Sequence, residues 1–137
     1  MLQRKYNSVL AAEVLINSST GKGIGYTTGA GSQVTQITSR STGVTINSLS
    51  GQITTDSTSL AAEASASFVV TNSKVKITSV PVVAIQSGAV GASTTATVST
   101  VTDGSFTIRI SNGNAAAGTA ETGAIILNFN VFGGANT

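Results

Sequence analysis

From residue 34 onward the chain alternates apolar and polar residues in short runs separated by turn-forming residues. This is the period-2 pattern of strands with one buried face. Ala66, Phe68 and Val70 share one face of the run 65–71. Phe106, Ile108 and Ile110 alternate with Thr107, Arg109 and Ser111, which puts Arg109 on the outside of a half-buried strand. Leu127, Phe129 and Val131 do the same over 124–132, with Asn128 and Asn130 between them. Residues 80–87 form a strong strand pattern, and Pro81, which has no N–H to give a ladder, belongs at its beginning or on an edge. Shorter runs at 34–37, 44–46 and 52–54, and a weak one at 75–78, complete the set. The Asp103-Gly104 pair between alternating runs predicts a two-residue hairpin with a type I′ turn. Residues 48–51, 58–64 and 112–123 read as turns or loops. About eight short strands with regular turns predict an all-β fold, a β-sandwich or jelly roll.

Some strand patterns carry apolar residues on both faces. Val69 flanks the Phe68 face, Val83 and Ile85 oppose Val82 and Ala84, and Ile126 opposes Leu127. A single sandwich core covers only one face of each sheet. The second face needs covering by the N-terminal arm or by a second copy, and a homo-oligomer, in the first place a homotrimer, is expected.

The first 22 residues form a separate section, an N-terminal arm or edge segment ahead of a β domain spanning 23–137. Val9, Ala12, Leu15 and Ile16 fall at helical spacing, while Val14 and Ile16 equally permit a strand. The run from Val9 to Ile16 follows Arg4 and Lys5 but contains Glu13 and lacks a clean small-x-small cleavage site, so it is not expected to be an export signal. It is also far shorter than the ~20 apolar residues a membrane span needs. Between Gly23 and Gly31 the glycines suit a loop with positive φ. A phosphate cradle would need a strand before this stretch and a helix after it, and the pattern supplies neither.

Composition narrows the function classes. Charged residues make up 9% of the 137-residue chain, and the net charge is +2. The seven Lys and Arg residues are scattered, which does not make the clustered cationic face that nucleic acid requires. With no Cys and no His, disulfides, thiolate chemistry, the usual zinc sites and His-based triads are excluded. The carboxylates are Glu13, Asp56, Glu63, Asp103 and Glu121. Asp103 is explained by its turn, and Asp56 and Glu121 by loop solvation, so no carboxylate pair for glycoside hydrolysis stands out. Asn112-Gly113-Asn114 is a fragment of a calcium-loop pattern and reads as a turn. There is no Trp, Phe68, Phe106 and Phe129 sit in core patterns, and Tyr26, the one aromatic open to an exposed role, is expected instead to pack beneath the glycine-rich loop. No catalytic residue, cofactor site or metal site is assigned.

The stretch GIGYTTGAGSQVTQITSRSTGVTIN, the SASFVVTNSKV strand and the closing GAIILNFNVF strand resemble a family of small β-rich virion proteins of tailed bacteriophages and prophages. The resemblance is carried by Gly25, Tyr26, Thr28, Gly29, Ala30, Gly31, Val34, Thr35 and Gln36, then Phe68, Val70, Asn72 and Ser73, then Leu127, Asn128, Phe129 and Val131. It spans roughly residues 23–133 and leaves the arm outside. It implies a trimeric virion component, in the first place a capsid decoration or cement protein. Such a protein is made in the host cytoplasm and sits on the outer head surface. Its partner would be the major capsid protein, with no nucleic acid or membrane involved. On this view Leu2, Arg4, Tyr6, Val9, Leu15, Tyr26, Gln36 and Arg40 are candidate capsid or subunit contacts. The alternative implied is a tail-fibre or spike-type adhesin that binds a host-surface glycan.

Overall fold

The computed structural model describes residues 25, 26 and 29–135. The chain divides into two units, Met1–Ala30 and Gly31–Thr137. In the first unit Tyr26 is half-buried, and Gly29 takes φ +88°, the left-handed conformation expected of this glycine-rich loop. Leu2, Arg4, Tyr6, Val9 and Leu15, and the helix-or-strand alternative for the arm, lie outside the described residues.

The second unit is all-β, a two-sheet sandwich with no helix among the described residues. Its strands are β1 (Gly31–Thr35), β2 (Val44–Thr45), β3 (Ser50–Thr54), β4 (Ser65–Thr71), β5 (Val80–Ser87), β6 (Thr94–Thr102), β7 (Ser105–Asn112) and β8 (Ile126–Phe132). One sheet has the order β1-β3-β8-β5 and the other β2-β4-β7-β6. The chain crosses from one sheet to the other at every connection except the β6–β7 hairpin. The β3/β8, β5/β8, β4/β7 and β6/β7 pairs are antiparallel, while β1/β3 and β2/β4 are parallel. Pro81 lies in β5, an edge strand, where a missing N–H costs the ladder least.

The alternating apolar residues fill the space between the sheets. Phe68 and Val70 of β4 and Phe106, Ile108 and Ile110 of β7 face Ile53 of β3 and Leu127, Phe129 and Val131 of β8. All are almost fully buried. Each such side chain removed from water contributes roughly 1.5–3 kcal/mol. The Phe106 and Phe129 rings meet across the two sheets with centroids 5.5 Å apart and planes tilted by 54°, a favoured aromatic geometry. Val83 and Ile85 pack partly on this core, so the opposite face of β5 carries Val80, Val82 and Ala84 outward.

Two local expectations are corrected. Residues 75–78 form a turn rather than a strand, with Val75 fully buried. The Asn72 side chain organises this segment by accepting from the Lys74 N–H (3.0 Å) and donating to the Ser48 carbonyl (2.7 Å). The β6–β7 turn is not type I′, because only Gly104 has positive φ (+81°) and Asp103 does not. A single positive φ at the second central position is the type II arrangement. Tertiary contact selects it: Asp103 accepts from the Ile77 N–H (2.8 Å), the Gly104 N–H donates to Val75, and the Asn72 N–H donates to Gly104.

Candidate functional site

The sandwich places the two candidate contacts Gln36 and Arg40 inside itself. Both are only 3% exposed, so neither side chain is available to another subunit. The Gln36 amide donates to the carbonyls of Arg40 (3.2 Å) and Thr42 (2.7 Å), and its oxygen accepts from the Asp56 N–H (3.1 Å). Arg40 donates from Nε to the Thr58 carbonyl and from its terminal nitrogens to Thr55 Oγ1 (3.1 Å) and the carbonyls of Gly123 (2.6 Å) and Glu121 (3.3 Å). A fixed guanidinium fork suits this work, since it can reach acceptors on two loops at once. Burial pulls the Arg40 guanidinium below the usual arginine range, while Glu121 and Asp56 push it back up.

Glu121 is likewise not solvated by its loop, as the sequence reading expected. It is fully buried. Its carboxylate accepts from the N–H groups of Val90 (2.7 Å) and Gly91 (2.7 Å) and from the Thr94 hydroxyl, and its backbone pairs with Leu60. Burial raises its pKa, but the hydrogen bonds from Thr94, Val90 and Gly91, with the nearby Arg40 charge, outweigh this and hold the carboxyl below the usual glutamate range. Arg40 and Glu121 thus join residues 40, 55–58, 90–94 and 121–123 into one polar frame at an end of the sandwich. Among the described residues every buried side-chain nitrogen and oxygen has a hydrogen-bond partner. The other carboxylates among the described residues are exposed or sit in turns. The Thr58 hydroxyl and N–H hold the exposed Asp56 carboxyl below its usual range, and Asp103 caps Ile77. No cluster of three His, Cys, Asp or Glu residues that could hold a metal occurs among the described residues.

A trough of about 660 Å³ lies on the outward face of the β1-β3-β8-β5 sheet. Its geometry follows from register. Gln33 of β1, Gln52 of β3 and Asn128 of β8 stand in one row across the sheet, with Ala84 of β5 at the end. The next row is Gly31, Ser50, Asn130 and Val82, and beyond it Phe132 pairs with Val80. The first row is a palisade of amides, the second is a low floor of mostly small residues, and the third is an apolar wall with Val82 beside it. The Gln52 amide nitrogen donates to Gln86 Oε1 (2.6 Å) and to Asn128 Oδ1 (3.3 Å), which links side chains of β3, β5 and β8 and leaves Gln33 outside the link. Among the described residues none that lines the trough is charged. The facing sheet, by contrast, presents Ser65, Ser67, Val69, Thr107 and Arg109 outward, with Arg109 donating to Ser65 Oγ (3.0 Å).

Sequence reading missed both the frame and the trough. The signal for the frame was the rarity of charge: Arg40 and Glu121 each stand alone in long neutral stretches, and an isolated ion in such a chain has to find partners elsewhere if it is buried. The signal for the trough was the Gln/Asn content of the outward positions of β1, β3 and β8. No protein-family model, curated protein or solved structure matches this chain.

Proposed function

We propose that the protein is a structural component of a tailed-phage virion: a decoration or cement protein that binds the outer head surface and ties neighbouring capsomers together. The observation that carries the reading is the use made of Arg40 and Glu121, the two charges buried among the described residues. Both are spent on clamping loops to a packed sandwich. A cement protein needs that kind of rigidity and no reaction chemistry. The resemblance on residues 23–133 supplies the virion context. Several of its residues, Gln36, Phe68, Val70, Asn72, Leu127, Phe129 and Val131, are the buried ones that build this frame and core.

The two outward sheet faces differ, one with a Ser/Thr-rich surface and the other with an amide trough. That difference suits a protein with one side on a shell and the other toward solvent. In this reading the major capsid protein is the partner. The working unit is a homotrimer, in which exposed aliphatic residues such as Ile37 and Ile77 are covered by neighbours. Virions with and without the protein should differ in survival after heating and osmotic shock. Equal survival sinks the cement role. Light scattering of the purified chain at micromolar concentration should return a trimer mass, and a monomer alone removes the trimer. The second reading, a fibre or spike-type adhesin, is favoured by the trough. It calls for purified protein to bind host cells and block infection.

A further inference from the structure

We infer that the trough on the outward face of the β1-β3-β8-β5 sheet is a binding site for a neutral, hydroxyl-rich glycan segment. The inference does not depend on whether the protein sits on the head or the tail.

The lining selects the ligand chemistry. Gln33, Gln52 and Asn128 form the amide row, and Asn130 lies in the floor. An amide offers two donors and an acceptor, the complement of a sugar hydroxyl, which both donates and accepts. Gln52 and Asn128 of this row are held before any ligand arrives. Both hydrogens of the Gln52 amide are committed, to Gln86 and to Asn128. That leaves the Gln52 oxygen as an acceptor and the amide nitrogens of Asn128 and Gln86 as donors. Adjacent strands stand about 4.8 Å apart, so acceptor and donor alternate at a spacing suited to successive hydroxyls. Ordering in the free protein lowers the entropy cost of binding. Across the floor, Phe132 and Val82 supply an apolar wall for the C–H face of a pyranose ring. The trough volume lies inside the ~300–1,000 Å³ range of small-ligand sites.

Other occupants fit less well. Nucleic acid and anionic polymers need cations, and among the described residues none lines the trough. An extended peptide adds to a sheet at an edge, where backbone groups are unpaired, and this site lies on a face whose central strands β3 and β8 are paired on both sides. A second copy presenting the same concave face would leave a void between the two troughs, against the close packing of stable interfaces.

The test is a titration of the isotope-labelled full chain with maltotriose, cellotriose and tri-N-acetylchitotriose, followed by the side-chain NH2 signals of Gln and Asn. At least one trisaccharide should shift the Gln52, Asn128 and Gln33 signals saturably. Gln52→Ala and Asn128→Ala should each weaken that binding by about tenfold, as loss of a well-made hydrogen bond does, with thermal stability unchanged because both side chains lie on the outer face. Arg109→Ala, on the opposite sheet, should leave it unaltered. Three results overturn the inference: no shift with any trisaccharide up to about 20 mM, a weak-binding limit; binding indifferent to both alanine variants; or shifts of these amides that follow protein concentration alone, which would assign the face to a second copy.

Discussion

Replacing Glu121 tests the polar frame most sharply. In Glu121→Ala, three donors lose their acceptor: the N–H groups of Val90 and Gly91 and the Thr94 hydroxyl. Arg40 also loses a nearby negative charge. An unsatisfied buried donor costs about 1–3 kcal/mol. The loop at 88–93 can open to water and recover part of this, since Val90 is 54% exposed. The expected loss is therefore about 3 kcal/mol, within the range for breaking one side of a buried charge arrangement, or roughly 12 °C in Tm for a chain of this size. Glu121→Gln keeps one acceptor oxygen but turns an NH2 toward a backbone N–H, and about 2 kcal/mol is expected.

The pH dependence separates charge from shape. The folded-state pKa of Glu121 is depressed relative to the unfolded chain. Its stabilisation is therefore fully present above the ordinary glutamate value of about 4.3 and is lost as pH falls through the lower folded value. Asp56 shifts in the same direction and contributes to the same acid loss. Thermal melts from neutral pH down to about 3 should show a weaker acid dependence in Glu121→Gln than in the parent chain, with a remainder from Asp56. A Glu121→Ala variant as stable as the parent at pH 7, or identical pH slopes in the parent and Gln chains, would refute this account.

Further outcomes follow from the same contacts. Arg40→Met strands the Thr58 and Gly123 carbonyls and should cost about 3–5 kcal/mol by denaturant unfolding; Arg40→Lys should recover only part of it, because an ammonium cannot span the same acceptors. Gly88→Ala would place a Cβ 2.2 Å from the Ala124 carbonyl oxygen at φ +87°, and a loss of at least about 2 kcal/mol is expected in the same assay. Asp103→Ala should cost only about 0.5–1.5 kcal/mol, but amide exchange at Ile77 should quicken because its acceptor is gone.

Local periodicity made β4, β5, β7 and β8 legible, because each has one face against the core and one outside. It placed Arg109 outward for the same reason, while the missing N–H of Pro81 put that residue at a strand's beginning or on an edge. The parallel pairs β1/β3 and β2/β4 left no trace, since alternation is identical in parallel and antiparallel strands. Residues 75–78 looked like a strand, but the Val75 N–H goes to the Asn72 carbonyl and the Ile77 N–H to Asp103. Gln36 and Arg40 looked like surface contacts because polar residues usually are exposed. Their partners lie up to 83 positions away in the chain, and no local pattern reports such distant acceptors. The trough was hidden for a related reason: Gln33, Gln52 and Asn128 become neighbours only through register.

The central claim is that this sandwich is a working part of the phage head surface. A cryo-electron microscopy map of the virion, at a resolution that traces strands, tests it directly. The account predicts density matching the 31–135 sandwich on the outside of the head shell, in contact with more than one capsomer. Density for it only on the tail, or none anywhere on the particle, would contradict the claim.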